Sequence, residues 1–179
     1  MRIIAGKFKG KILKDFNLST TRPTTDLVRE ALFDKIGLMI NGKNFLDLFA
    51  GTGATGIEAL SRGAEFCYFA DNNANAIKLI KNNLSLISAQ NFAVFKQDFL
   101  ATLNNLNKQN TKLDFVFLDP PYASNFAEKA IEFLQKKQML NQCGMIIWEH
   151  DISKLDYIEK NFLNSTTKKY GKKYLTYIA

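Results

Sequence analysis

Three glycines, spaced as Gly51-x-Gly53-x-x-Gly56, stand between the apolar segment Phe45-Leu46 and a helical stretch over Thr55–Arg62. No other feature constrains the fold as strongly. A strand must end, the backbone must turn tightly with room for a ligand to approach it, and a helix must begin, all within a few residues. Gly63 then stops the helix, and Phe66-Cys67-Tyr68-Phe69-Ala70 predicts a second strand closing on Asp71. An acid at that strand end, roughly 20 residues past the glycine loop, is suited to gripping a ribose diol. Together these features point to a nucleoside cofactor. A dinucleotide-binding dehydrogenase would use the same loop and the same acid, so they do not choose the cofactor.

Asp119-Pro120-Pro121-Tyr122 narrows the choice. It follows the apolar run Phe115-Val116-Phe117-Leu118, which predicts a buried strand. Two consecutive prolines fix φ twice and remove two backbone donors, so the strand ends there in a stiff loop. The loop presents a carboxylate and an aromatic ring together. A carboxylate and a prolyl carbonyl can accept from the NH2 of a planar base while the ring stacks on it. An ordinary turn uses the same residue types. A dehydrogenase has no need of this tetrapeptide, whereas an enzyme that methylates an exocyclic base nitrogen does.

With these motifs the chain resembles the class I S-adenosylmethionine methyltransferases that act on amino groups, whose loop is [DNS]-P-P-[YFW]. More narrowly it is similar to the RsmD family, which methylates a guanine N2 in small-subunit (16S) ribosomal RNA. Three further stretches carry the narrower match: Arg2 to Lys11, Arg22-Pro23-Thr24-Thr25-Asp26-Leu27-Val28-Arg29-Glu30-Ala31-Leu32-Phe33, and Gly56 to Ala64. The resemblance runs from Arg2 to about Glu149. It implies S-adenosylmethionine as cofactor, and 16S rRNA or the assembling small ribosomal subunit as partner.

The chain alternates strands and helices. A small hairpin is expected from Arg2-Ile3-Ile4 and Lys11-Ile12-Leu13. A helix follows to about Ile40, with Leu27, Leu32, Phe33 and Ile36 on its apolar face. Strands are predicted at Asn44–Leu48, Phe66–Ala70, Phe92–Lys96, Leu113–Leu118 and Gly144–Trp148. Helices are predicted over Asn73–Ile87, Phe99–Asn105, Asn125–Lys137 and Lys154–Asn161, with a polar loop over Asn104–Thr111 and two last strands flanking Gly171. This alternation implies an α/β, doubly wound, mostly parallel sheet. The family's version is a Rossmann-like class I methyltransferase fold of seven strands, the last two forming a reversed hairpin, with a small N-terminal β-hairpin extension. We expect one domain over 1–179, with 1–22 the basic extension and 23–179 the catalytic core. In such sheets ligands sit beyond the carboxyl ends of the strands, where Gly51–Gly56, Asp71, Asp98 and Asp119–Tyr122 all fall.

The resemblance also implies roles. Asp47 and the backbone of Phe49, Gly51 and Gly53 hold the methionine part of the cofactor, with Arg22 and Thr24 as candidates near its carboxylate. Asp71 binds the ribose, although relatives often carry Glu there, and it could instead cap the next helix. Asp98 accepts from the adenine amino group with the Phe99 N–H beside it, or is simply a helix cap. Asp119, Pro120, Pro121 and Tyr122 form the catalytic loop.

At 179 residues and 46% hydrophobic content, the chain can bury a substantial core. No apolar run approaches a membrane span and no signal peptide opens the chain, so a cytoplasmic protein is expected. A monomer is expected as well. One histidine and two cysteines do not make a zinc site. Cys67 and Cys143 read as buried small hydrophobes, His150 as a surface residue, and Glu149 has no derivable role. Net charge is +7, concentrated at Arg2–Arg22 and Lys168–Lys173 with aromatics interleaved, which suits RNA phosphates and unstacked bases. Two rivals stand. A DNA adenine-N6 or cytosine-N4 methyltransferase shares the loop but usually carries a recognition domain. A non-enzymatic RNA-binding protein would not need the full set of pocket residues.

Overall fold

The computed structural model describes residues 1–16, 26–121 and 124–179. Among them seven strands form one sheet: β1 (Asn44–Asp47), β2 (Phe66–Asp71), β3 (Phe92–Lys96), β4 (Leu113–Leu118), β5 (Leu140–His150), β6 (Thr166–Tyr170) and β7 (Lys173–Ile178). Their order is β3-β2-β1-β4-β5-β7-β6. The first five run parallel, and β7 is antiparallel to both its neighbours. Six α-helices lie within the same described residues: α1 (Asp26–Ile36), α2 (Ala54–Ser61), α3 (Ala74–Leu86), α4 (Phe99–Lys108), α5 (Phe126–Lys136) and α6 (Leu155–Asn161).

Helices cover both faces of the sheet, so its central strands are buried and mostly apolar. All six positions of β4 are buried. Its side chains alternate between two cores as strand pleating requires. Phe115 and Phe117 join the core that holds Phe45, Phe69, Leu32, Ile57 and Ile80, while Val116 and Leu118 join that of Leu46, Leu103, Ile131 and Trp148. Fully burying each such side chain contributes roughly 1.5–3 kcal/mol.

Several expectations need correction. The segment expected as a loop from Asn104 is the end of α4. Leu103 and Leu106 are both fully buried, so its polar residues are the wet face of an amphipathic helix. β5 begins at Leu140, four residues before Gly144, in a ragged start where its register against β4 shifts between Leu113 and Phe115. Cys143 lies in that stretch and is exposed, while Cys67 is buried as expected. In α1 the buried face is Val28, Arg29, Leu32, Phe33 and Ile36, and Leu27 points to solvent. The N-terminal hairpin closes through a single bridge, Arg2 to Ile12, instead of two regular strands. Backbone bonds from Ile3 N–H to Lys11 O and from Leu13 N–H to Met1 O hold it together.

The hairpin is fastened to α2. The fully buried Glu58 carboxylate accepts from the N–H groups of Ile4 (2.8 Å) and Ala5 (2.9 Å) and from Arg62 Nε (2.7 Å). Arg29 lies 3.9 Å from the same carboxylate and donates to Arg2 O at 2.7 Å.

Candidate active site at the carboxyl edge of the sheet

Because β1 to β5 are parallel, the loops that follow them open on one edge. The chain turns to β2 and β3 on one side of β1 and to β4 on the other. The β1/β4 boundary is therefore the switch point, outside which a crevice forms. Asp47, Asp71, Asp98 and Asp119 all reach this edge.

The glycine loop is held from both sides. Leu48 N–H donates to Phe117 O (3.2 Å) and Ala50 N–H to Ala70 O (2.9 Å), which ties the loop to β4 and β2. Gly51 and Gly53 take positive φ of 53° and 78°, the left-handed turn that releases the chain into α2. At Gly56 the demand is space, since a Cβ there would meet Phe69 Cε1 at 2.3 Å and Cys67 Sγ at 2.7 Å. Only glycine lets α2 lie this close to β2.

Two acids brace the loop. Asp71 accepts from Gly51 N–H (2.9 Å, Oδ2) and Asn73 N–H (2.8 Å, Oδ1). Asp71 supports the turn into α3 and holds the glycine loop, while the cap of α3 is Asn73, whose side chain accepts from Asn75 N–H at 2.8 Å. Asp47 is buried and accepts from Gly56 N–H at 3.0 Å. Burial pushes its pKa from 3.8 up to about 7; the Gly56 bond opposes this, and the charges of Asp119 and Asp71 add to it. Among the described residues no Lys or Arg lies within ion-pair distance of Asp47 or Asp71. The edge thus gathers acidic side chains with no basic partner for Asp47 or Asp71 among the described residues, an arrangement suited to a cationic ligand.

Asp98 caps α4, its Oδ1 accepting from Ala101 N–H at 2.9 Å. Beside it, Phe99 packs with Phe49 (ring centroids 5.7 Å apart) and with Phe126 (5.0 Å). Phe126, partly exposed at the start of α5, was not singled out in the sequence. An aromatic four residues past the Asp-Pro-Pro-Tyr loop was the available signal. The three rings join the glycine loop, the β3 loop and the helix that follows the Asp-Pro-Pro-Tyr loop into one apolar wall.

After β4, Asp119 is half-buried, Pro120 buried and Pro121 exposed. Tyr122, like Arg22 and Thr24, lies outside the described residues. The loop's far end is anchored. Ser124 donates to Pro121 O through N–H (2.9 Å) and Oγ (2.7 Å). Lys154 Nζ then donates to Ser124 O (2.9 Å) and pairs with Glu128 (2.5 Å). Nothing local in the sequence announces Lys154, because its role exists only once β5 lies beside β4.

His150 is buried, against the surface position expected for it. It ends β5 in a small crevice shared with Pro120, Pro121 and Lys154. Its Nδ1 meets the Asp151 carbonyl at 2.8 Å and its Nε2 meets Thr176 Oγ1 at 2.7 Å. A carbonyl only accepts, so Nδ1 carries the proton and the neutral ring's Nε2 accepts from Thr176. Burial lowers the imidazole's pKa, and the ring stacks on Tyr174 with centroids 5.7 Å apart. Nε2 fastens the ring to β7 and Nδ1 to the chain just past β5, a structural role. Glu149, fully buried, pairs with Lys173 across the same junction. Among the described residues no cluster of three His, Cys, Asp or Glu could hold a metal.

The strand order, the glycine loop after β1 and the proline loop after β4 together define a class I methyltransferase fold. A family model described as conserved hypothetical protein 95 matches residues 1–179. The chain belongs to that family, the RsmD family of methyltransferases. It is 36% identical over 156 residues to ribosomal RNA small subunit methyltransferase D of Haemophilus influenzae, covering 86% of this chain and 80% of the relative. It is 42% identical over 152 residues to YlbH of Bacillus subtilis, covering 84% and 83%. Among solved structures, hypothetical protein TTHA0928 of Thermus thermophilus superposes with a TM-score of 0.82 at 26% identity, covering 99% and 98% of the two chains. The expected fold class and methyltransferase activity are thereby established.

Proposed function

We propose that this protein transfers a methyl group from S-adenosylmethionine to the exocyclic N2 of a guanine in 16S ribosomal RNA, as a single-domain monomer acting in the cytoplasm on the assembling small subunit. The observation that carries the reading is the convergence of Asp47, Asp71 and Asp119 on one glycine loop. A pocket of carboxylates fits a ligand that carries both an ammonium and a sulfonium charge. The family membership and the relative's printed name, a small-subunit rRNA methyltransferase, support the substrate.

S-adenosylmethionine, when bound, supplies an electrophilic methyl on sulfur. The chain's residues do the rest. Asp47 and the backbone at Phe49, Gly51 and Gly53 hold the methionine end, with Arg22 and Thr24 beside its carboxylate. Asp71 takes the ribose hydroxyls. Asp98 uses the oxygen not engaged in its cap for the adenine amino group, with the Phe99 N–H next to it and the Phe49–Phe99–Phe126 wall excluding water. Asp119 and the Pro120 carbonyl accept from the guanine NH2. These bonds draw the nitrogen lone pair out of conjugation, and Asp119 is placed to receive the proton. Pro121 stiffens the loop and Tyr122 stacks on the extruded base, an interaction that contributes roughly 1–3 kcal/mol. Positioning and electrostatics supply the catalysis.

The test is methylation of small-subunit rRNA, free and as assembled subunits, with labelled cofactor, followed by mapping. Label on one guanine N2 is expected. Label only on DNA adenine or cytosine would overturn the substrate and leave the cofactor pocket standing.

A further inference from the structure

The tip of the basic N-terminal hairpin and the basic C-terminal turn lie at opposite edges of the sheet. The N-terminal tip sits at the amino edge. Lys7 N–H donates to Ser61 O (2.8 Å) at the end of α2. Lys7 and Phe8 also border a crevice with Ala64, Gln90 and Asn91, the residues just before β2 and β3. A full strand length separates this tip from the catalytic loop.

The C-terminal turn lies at the carboxyl edge. Leu118 pairs with Trp148, and His150 with Tyr174. Pro120, His150 and Tyr174 are therefore level across the sheet. The β6–β7 turn, closed by the Tyr170–Lys173 pair, rises past that level by two to three residues, roughly 7–10 Å. It stands two strands from β4, roughly 10 Å to the side.

The turn is strongly basic. Lys168, Lys169 and Lys172 are exposed, and none has a carboxylate within ion-pair distance among the described residues. No acid occurs from Lys160 to Ala179. Lys173 is committed to the buried Glu149, which anchors the turn's base. Lys169 Nζ lies 5.7 Å from the Tyr174 ring, and the half-buried Tyr170 flanks the turn. Exposed cations on a rigid hairpin, with aromatic rings beside them, match the chemistry of an RNA backbone next to an unstacked base.

We propose that the β6–β7 turn, through Lys168, Lys169 and Lys172, is the surface that holds the RNA phosphates flanking the target nucleotide. The basic N-terminal tip does not hold them. This rests on the reading of the protein as an RNA methyltransferase. The turn acts as a clamp beside the catalytic loop and contributes nothing to the cofactor pocket.

The experiment compares the wild-type protein with Lys168→Ala/Lys169→Ala/Lys172→Ala and with Lys7→Ala/Lys9→Ala/Lys11→Ala. It measures methylation of small-subunit rRNA and binding of a labelled fragment of that RNA, each over a range of salt. Cofactor affinity serves as the control for folding. The C-terminal triple variant should raise the RNA KM and Kd about 10-fold or more. It should also flatten the log–log salt slope by about 2, at roughly 0.7 for each phosphate that a lysine no longer neutralises. Its kcat and cofactor affinity should stay near wild type, and the N-terminal variant should change RNA affinity far less. Unchanged RNA affinity and slope in the C-terminal variant, or an equal loss in the N-terminal one, would overturn the assignment. A wild-type protein that binds the fragment but methylates no rRNA would overturn the proposed function, while the binding arms would still decide the surface.

Discussion

Asp71 Oδ2 accepts the Gly51 N–H at 2.9 Å, so the acid that ends β2 also holds the turn that follows β1. In the proposed mechanism, ribose binding and loop geometry are therefore coupled through one carboxylate. Asp71→Asn keeps the shape but loses the charge that strengthens hydrogen bonds from ribose hydroxyls. A hydrogen bond to a charged group contributes roughly 1.5–3 kcal/mol, so cofactor binding should weaken about 10- to 100-fold. Calorimetric titration reads this directly, and affinity equal to wild type would remove Asp71 from the ribose site.

Asp119 precedes the two prolines and is the acceptor closest to the reacting nitrogen in the proposed mechanism. Asp119→Ala should abolish methyl transfer while cofactor affinity stays within a few-fold. Single-turnover assays and equilibrium dialysis separate the two. A parallel loss of both would mean that Asp119 builds the cofactor pocket and does not act on the base.

The parts of this site that were legible in the sequence are those whose cause is local. Glycine at Gly51 and Gly53 is demanded by backbone conformation, and the Asp119–Pro121 loop by proline geometry, so both appear where expected. The strand ends follow from apolar runs such as Leu113–Leu118. What was not legible depends on which elements pack together. His150 reads as a surface histidine until β7 brings Thr176 and Tyr174 against it. Lys154 reads as one more solvated lysine until α6 starts beside Ser124. The end of α4 looked like a loop because its buried residues, Leu103 and Leu106, are outnumbered by asparagines that face water.

Asp47 makes the site sensitive to pH. Its folded pKa of about 7 lies above the ordinary 3.8, so between these values the folded protein holds a proton that the unfolded chain has released. Asp47 therefore costs stability progressively as pH rises from about 4 to about 7, and the cost is constant above that. A cationic ligand reverses the preference by favouring the carboxylate. Cofactor affinity should rise from pH 6 to 8, with proton release on binding, measurable by calorimetry in buffers of different ionisation enthalpy. Asp47→Asn should flatten both profiles. An affinity that does not change over this range would place the positive end of the cofactor elsewhere.

Lys154 connects the segment after the Asp-Pro-Pro-Tyr loop to the end of β5 through Ser124 O and Glu128. Lys154→Met removes both bonds and leaves the glycine loop untouched. Small displacements of reacting groups are costly, up to about 100-fold for 1 Å, so kcat should fall roughly 10- to 100-fold with cofactor affinity unchanged. Lys154→Arg should restore much of the rate, since it keeps the charge and can donate to the same carbonyl. Full kcat in the Met variant would show that the prolines alone hold the loop.

Glu58 is the anchor of the N-terminal hairpin, and its removal tests how that hairpin is attached. The carboxylate is fully buried and satisfies two backbone N–H groups and Arg62, with Arg29 nearby. Glu58→Ala leaves two amide donors and Arg62 Nε without their acceptor and removes the negative charge beside the buried Arg29. Breaking one side of a buried ionic network costs on the order of 3–5 kcal/mol, which for a chain of this size lowers Tm by roughly 10 °C. Glu58→Gln should cost less, because its carbonyl oxygen still accepts one backbone bond while the charge opposite Arg29 and Arg62 is lost. Hydrogen exchange locates the damage: the amides of Ile4 and Ala5 should lose protection first, while those of β4 remain protected. If their protection survives in Glu58→Ala, the hairpin is held by Ser61 and by the burial of Ile3 and Leu13, and the carboxylate serves only to neutralise the two arginines.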